Sequence, residues 1–180
     1  MKDTKDALYG TFGIVFSNTR HAENFYHLLE QRGYDADELS LMMSEATKKH
    51  AYDGDAPVET TTKTTGEKAA IGTGVGGTIG AIAGILATLG TSALIPGLGI
   101  VVAGPIIGAL AGAGAGGVTG ALVGMLTNLG VPEEYAKLYY RELQAGKTVL
   151  LVNPKTADEI NYVRDNISEI NGEHLNHWNS

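Results

Sequence analysis

The chain has 180 residues, 43% of them hydrophobic, a length that allows one compact domain with an insertion but not two full domains. Its formal net charge of −7 makes nucleic acid an unfavourable partner, because phosphate backbones attract basic surfaces. The absence of cysteine excludes a disulfide, a thiolate nucleophile and a cysteine-ligated zinc site.

The first 43 residues predict a strand, a helix and a second strand. Residues 9–16 are aromatic and β-branched, as is typical of a buried strand. A helix with apolar residues at helical spacing runs to about Gln31, and Gly33 follows as its C′ glycine. A second strand is predicted at about residues 38–43. Residues 1–43 are therefore interpreted as the first half of an α+β domain.

Residues 44–66 differ from both neighbours in composition. They contain few large apolar residues and are rich in threonine and charged side chains. This composition predicts a polar linker.

The central part of the chain carries no charge from Ala69 to Pro132, a run of 64 residues. Its glycines recur every fourth residue in two ladders. Small residues at this spacing allow two helix backbones to approach closely. The ladder glycines are the predicted helix-packing and self-association residues: Gly72, Gly76, Gly80, Gly84, Gly104, Gly108, Gly112, Gly116, Gly120 and Gly124.

Residues 67–129 are interpreted as a helical hairpin. The first helix is predicted at about 67–89 and the second at about 105–129, with a break and turn at residues 94–99. Helices of about 23 to 25 residues are about 35 Å long, enough to cross a hydrocarbon core of about 30 Å. A ladder with a spacing of four rotates around its helix, so one partner leaves a face uncovered and self-association is expected.

Two locations suit such a hairpin. The first is the cytoplasmic membrane, with a lipid membrane as partner and both termini on the cytoplasmic side. Residues 1–6 lack the apolar core of a signal peptide, and basic residues flank the hairpin on both sides. The alternative is cytoplasmic: a soluble homo-oligomer, as a particle or filament, that buries the hairpin between subunits. A flexible linker is a third interpretation, which the two phased ladders disfavour.

Residues 130–180 predict the second half of the α+β domain. A helix begins after Pro132, with the acidic pair Glu133 and Glu134 at the positive end of its dipole. Residues 147–152 form the clearest strand, a capping box at 156–159 opens another helix, and a short edge strand is predicted at 174–178. Apart from the linker, the hairpin and the helix after Pro132, the order is βαβ-βαβ. This is the ferredoxin-like order, with the insertion between the second and third strands.

Several stretches make the chain resemble bacterial heat-induced or general stress proteins of the YflT type. These are the opening strand-helix-strand, the Pro-Gly-Leu-Gly step and the Ala-Gly-Pro that follows it, the exit from the apolar region, and the strand after Gly146. They lie at Gly10–Met43, Ile95–Gly99, Ala103–Pro105, Leu129–Ala136 and Gly146–Val152. The resemblance implies stress-induced expression, a glycine-rich apolar hairpin in a small α+β domain, and no established catalytic activity.

Motifs that could carry chemistry are weak. The glycines at 72, 74 and 77 match the dinucleotide fingerprint but follow no strand and lie within the ladder. His174 and His177 supply only two potential ligands, where a structural zinc site needs four. The sequence therefore predicts no enzyme, no cofactor, no metal and no small-molecule substrate. It predicts a membrane-associated stress-response protein that self-associates, with the homo-oligomeric assembly as the alternative.

Overall fold

The structure, a computed structural model, describes residues 9–52, 92–95, 97–107, 118–168 and 171–179. These residues form an α+β fold with an antiparallel six-stranded sheet and five helices. The elements in chain order are β1 (Thr11–Phe16), α1 (Thr19–Arg32), β2 (Leu39–Ser44), α2 (Glu45–Tyr52), β3 (Ser92–Ile95), β4 (Ile100–Ala103), α3 (Val118–Asn128), α4 (Glu133–Gln144), β5 (Thr148–Val152), α5 (Ala157–Asn166) and β6 (Gly172–Trp178).

The sheet interleaves the two halves of the chain. Its strand order is β3-β4-β2-β5-β1-β6, and each neighbouring pair is antiparallel. The central strand β5 pairs with both strands of the first half, so that Val152 lies opposite Phe12 on one side and Leu39 on the other. The edge strands are β3 and β6.

Helices cover both faces of the sheet. Phe12, Ile14 and Phe16 point to the first face, where α1 and α5 pack. Val15 and Met42 point to the second face, where α3 and α4 pack. Since successive side chains of a strand alternate between faces, a strand covered on both sides is apolar throughout. This explains why all five residues of β5 are buried.

The predicted C-terminal end of α1 and the predicted start of α5 are confirmed. Asn18 caps α1, its side-chain oxygen accepting from the backbone N–H of Arg20 at 2.8 Å. Gly33 follows α1 with φ = 100°, the left-handed conformation expected of a C-terminal cap. At α5 the hydroxyl of Thr156 accepts from the backbone N–H of Glu159 at 3.2 Å, as the capping box predicts.

The strands predicted at 38–43, 147–152 and 174–178 are also confirmed. They are β2, β5 and β6, each with bounds within two residues of the prediction. The last of these is an edge strand, as predicted.

The first part of the predicted linker is helical. Helix α2 begins directly after β2, and the hydroxyl of Ser44 accepts from the backbone N–H of Thr47 at 2.9 Å. This cap, together with the alanine and lysine residues that follow, favours a helix over a linker. Residues 53–66, the rest of that linker, lie outside the described residues.

The predicted turn of the hairpin is part of a β-hairpin. β3 and β4 pair antiparallel, with Ile95 opposite Ile100. Residues 105–107, where the second long helix was predicted to begin, form a single 3₁₀ turn. An unbroken apolar run has no periodicity that separates strand from helix, and the β-branched residues of β4 favour a strand. The predicted first helix, 67–89, lies outside the described residues.

The prediction of a transmembrane helix is wrong for the part of the chain that the structure describes. None of the helices there is both long enough and apolar enough to cross a bilayer. α3, the part of the predicted second helix that the structure describes as helical, has 11 residues and a length of about 16 Å, against a hydrocarbon core of about 30 Å. Residues 108–117 of the predicted helix lie outside the described residues. The cytoplasmic-membrane location depended on these spans and is not supported by the described helices.

Candidate functional site

The described residues of the uncharged run form one connected region, which we call the charge-free surface. It consists of β3, β4, the turn at 105–107 and α3, all of which lie between Ala69 and Pro132. These elements extend the sheet at one edge and cover part of its second face. Burial in the core explains why the inner side of these elements carries no charge, but it does not explain why their outer side carries none.

The inner side of α3 anchors the helix to the sheet. Leu122, Met125 and Leu126 are fully buried in the core of the second face, at the i, i+3, i+4 spacing of one helix face. Leu129, beyond the helix end, packs against the same core. This packing fixes which side of α3 points outward.

The outer side of α3 carries glycine where a surface helix usually carries charge. Among the described residues, no atom lies within 4 Å of a Cβ built on Gly120 or Gly124, and Gly120 is exposed. The hydroxyl of Thr127 donates to the carbonyl of Gly124 at 3.0 Å, so this polar side chain is turned to its own helix. The result is a shallow, neutral groove on the outside of α3.

Gly104 belongs to the same ladder but has a different structural role. It lies at the end of β4 with φ = 94°, and a Cβ there would collide with the backbone carbonyl of Leu39 and with Ser40. Gly104 is therefore required for the close approach of β4 to β2. The other seven ladder glycines lie outside the described residues.

The edge of the charge-free surface exposes a large apolar side chain. Leu94 of β3 is 48% exposed, and it is the one large hydrophobic residue in the described part of the chain that is exposed. Its neighbour Ile95 is partly buried against the second face. Sequence reasoning missed this feature because it assigned residues 94–99 to a turn.

A polar cleft of about 750 Å³ lies at the ends of β1 and β2 and at the start of β5. Hydroxyl, amide and cationic groups contribute to its lining, among them Ser17, Asn18, Thr19, Arg20, Thr47 and His50. The hydroxyl of Thr47 contacts Ser44 Oγ at 2.7 Å and donates to the carbonyl of Gly146 at 2.9 Å. These hydroxyl groups hold α2 to the sheet. No sequence motif marked the cleft.

Three carboxylates converge at the start of β2, where Asp35, Asp37 and Glu38 bring oxygen atoms within 4.8 Å of one another. Lys155 supplies a cation to this group, with its Nζ 3.4 Å from Asp37 Oδ1 and 3.7 Å from Glu38 Oε2. Burial raises the pKa of Glu38. The group joins the loop after α1 to the turn before α5.

The histidines considered as ligands are engaged elsewhere. His177 Nε2 donates to the carbonyl of Tyr9 at 2.9 Å, and its ring stacks on Phe12 with centroids 4.2 Å apart. His174 lies three residues earlier on the same strand, where the register of β6 with β1 is irregular. Among the described residues, neither histidine belongs to a group of three or more potential metal ligands. The glycines at 72, 74 and 77 lie outside the described residues.

Comparison with known proteins identifies a family model that matches part of the chain. Residues 93–177 match the model of a family described as a protein of unknown function (DUF1269). The match runs from β3 to β6 and so includes the described charge-free surface. A search of curated proteins gave no match, and a search of solved structures gave none. The family description states no activity, ligand or partner.

Proposed function

We propose that this chain is a non-enzymatic protein that self-associates, burying its charge-free surface between copies in an aqueous homo-oligomer. The observation that carries the proposal is the outer side of α3, a helix without charge, where no atom of the described residues lies near the Cβ positions of Gly120 and Gly124.

Energetics support a partner for this side. Glycine inside a helix costs about 1 kcal/mol relative to alanine when the helix faces water. Two such residues four positions apart, with space around both, become favourable when a second helix packs closely against them. A charged outer face would serve a solvated surface helix better.

Charge supports a second copy of the same chain as that partner. The chain has a net charge of −7, so two copies repel each other through most of their surfaces. The charge-free surface is where two copies approach without like-charge repulsion. Interfaces between identical subunits are also more apolar than the rest of a protein surface.

The finer fold assignment is also part of the proposal. We interpret β1-α1-β2 and β5-α5-β6 as a ferredoxin-like unit, with everything from α2 to α4 inserted between its second and third strands. The spatial order β2-β5-β1-β6, antiparallel throughout, supports this assignment, since it is the order that two split βαβ units produce.

The proposed relationship to bacterial general stress proteins is supported by the motifs described above. Under this proposal the amount of the protein rises after heat or another general stress. Quantifying it before and after a heat shock tests this part independently of assembly, and an unchanged amount would remove the stress assignment alone.

A matched pair of substitutions tests self-association. Sedimentation velocity of the detergent-free protein should show an oligomer whose population rises with concentration. Gly124→Leu should lower that population at least about tenfold, because a side chain in the groove prevents close approach, whereas Gly124→Ala should leave most of it. Circular dichroism should be unchanged in both variants.

Three outcomes contradict the proposal. They are a monomer at every concentration, an oligomer that Gly124→Leu leaves intact, and a protein found only with membranes after a carbonate wash. The last outcome would identify lipid, and not a second copy, as the partner of the apolar region.

A further inference from the structure

The two edges of the sheet are built differently. The β6 edge includes Glu173, which forms an ion pair with Lys147 at 2.7 Å. Its register with β1 shifts between Gly13 and Val15, and His174 has a positive φ of 47°. A charge and an irregular ladder are the features by which natural sheets prevent pairing with another strand.

Within the part of the chain that the structure describes, the β3 edge has neither protection. β3 pairs with β4 in an unbroken register from Ser92 to Ile95, and none of its four residues is charged. Alternate residues of an antiparallel strand point their N–H and C=O groups away from the paired neighbour. β3 therefore directs one such set outward from the sheet, next to the exposed side chain of Leu94.

The composition of this edge favours a copy of the same strand. Two chains of net charge −7 meet at β3 without bringing like charges together. An uncharged strand of another protein would meet the same backbone groups. A second copy is the partner whose remaining surface repels this chain, so an uncharged edge matters most for contact between copies.

We propose that β3 pairs antiparallel with β3 of a second copy across a two-fold axis, which joins two six-stranded sheets into one continuous sheet. This inference rests on the proposed self-association and specifies where one contact between copies forms. The backbone groups of the two edge strands then hydrogen-bond to each other, and the Leu94 side chains pack at the junction.

Symmetry restricts the register of this pairing. Opposed residues in an antiparallel ladder alternate between hydrogen-bonded and non-hydrogen-bonded pairs. A two-fold axis maps each pair onto one of the same kind, so it passes through a pair of identical residues. For a strand of four residues, the registers with the greatest overlap place either Ala93 or Leu94 opposite itself.

This restriction gives a direct test, because the chain contains no cysteine. The full-length variants Ala93→Cys and Leu94→Cys each carry a single thiol. Opposed residues have Cα atoms about 4.5 to 5.5 Å apart, within the range of a disulfide. Asp158→Cys, at an exposed position of α5, is the matched control for collisions between molecules.

Under oxidised glutathione, we expect one of the two β3 variants to form a covalent dimer at least about tenfold faster than the control, as the high effective concentration of paired thiols requires. The dimer should keep the circular dichroism spectrum of the native protein. The unmodified protein should show the same dimer by sedimentation.

The other outcomes separate this inference from the proposed function. If the native protein oligomerises but neither β3 thiol is faster than the control, the β3 pairing is wrong and self-association stands. If the native protein is monomeric and no variant cross-links, both are wrong. If the protein is monomeric and the thiols of both β3 variants resist alkylation, the edge is covered within one copy and the pairing is wrong.

Discussion

Gly104 and Gly120 occupy equivalent places in one sequence ladder but lie in two different regions of the molecule. At the end of β4, Gly104 has a positive φ and backbone atoms of β2 where a Cβ would lie. On α3, none of the described residues has an atom within 4 Å of that position at Gly120 or Gly124. The first region needs glycine for the fold of one copy, and nothing in the described part of the chain requires it in the second.

This difference shows that spacing alone does not define a glycine zipper. A four-residue repeat is consistent with helix packing, but one of its members here closes a strand pair. The glycines that are unexplained within the copy are the ones that bear on association. Three substitution experiments examine this difference.

The largest effect is expected at β4. Gly104→Ala should lower the free energy of unfolding by about 3 kcal/mol, because it adds the strain of a positive φ to a collision with backbone. Gly97→Ala is the matched control, since Gly97 has φ = 80° but nothing within 4 Å of its Cβ position. It should cost only the strain, about 1 to 2 kcal/mol.

Urea denaturation of both variants measures this difference. Equal losses for Gly104→Ala and Gly97→Ala would show that the contact with β2 contributes nothing. The role assigned to Gly104 in sheet closure would then be wrong.

Sequence reasoning predicted the elements whose apolar residues recur at a regular spacing or whose ends carry a capping residue. The sequence predicts α1 and α5 because apolar residues recur at helical spacing and caps mark the helix ends, and it predicts β2 and β5 because each is a short apolar run bounded by turn residues. The strand pairing order itself follows from contacts between distant residues, which one sequence does not display.

The same reasoning failed where every residue is neutral. Between Ser92 and Ala103 no polar residue reports which side faces the core, so the β-hairpin was interpreted as a break between helices. The β-branched residues at 100–102 were the available signal. The polar cleft was not predicted, because its groups come from the ends of separate strands.

A smaller effect of opposite sign is expected on α3. Gly120→Ala and Gly124→Ala should each raise the stability of the dilute protein by up to about 1 kcal/mol, since alanine favours a helix and no atom obstructs its methyl group. Thermal unfolding at low concentration measures the gain. Gly13→Ala is the opposite control, because its Cβ would collide with the Tyr139 side chain, and it should be destabilising.

A loss of stability in Gly120→Ala or Gly124→Ala would show that the outer side of α3 is packed within one copy. It would also remove the main support for association through that side.

The smallest effect is on the pH dependence of stability. It differs between the two regions because a titratable group lies near Gly104 and none lies on α3. α3 has no titratable group, so the gain from Gly124→Ala should be the same at every pH at which the protein is folded. Near the contact that Gly104 makes with β2, burial raises the pKa of Glu38 above the usual value of 4.5 for a glutamate side chain. The folded protein thus binds this proton more tightly than the unfolded chain does, and the contribution of Glu38 to stability falls as pH rises through the window just above 4.5.

Glu38→Gln should flatten that part of the stability profile, because glutamine keeps an acceptor for the backbone N–H of Asp35 but does not ionise. Lys155 retains Asp35 and Asp37 as ion-pair partners in the variant. Urea denaturation at pH values from 4 to 8 compares the two proteins, with Gly124→Ala as the reference whose gain stays constant.

If Glu38→Gln leaves the slope of stability against pH unchanged, the titration comes from other carboxylates and the start of β2 does not respond to pH. If the gain from Gly124→Ala itself varies with pH, a titratable group lies against the outer side of α3, and that side is not the neutral groove on which association depends.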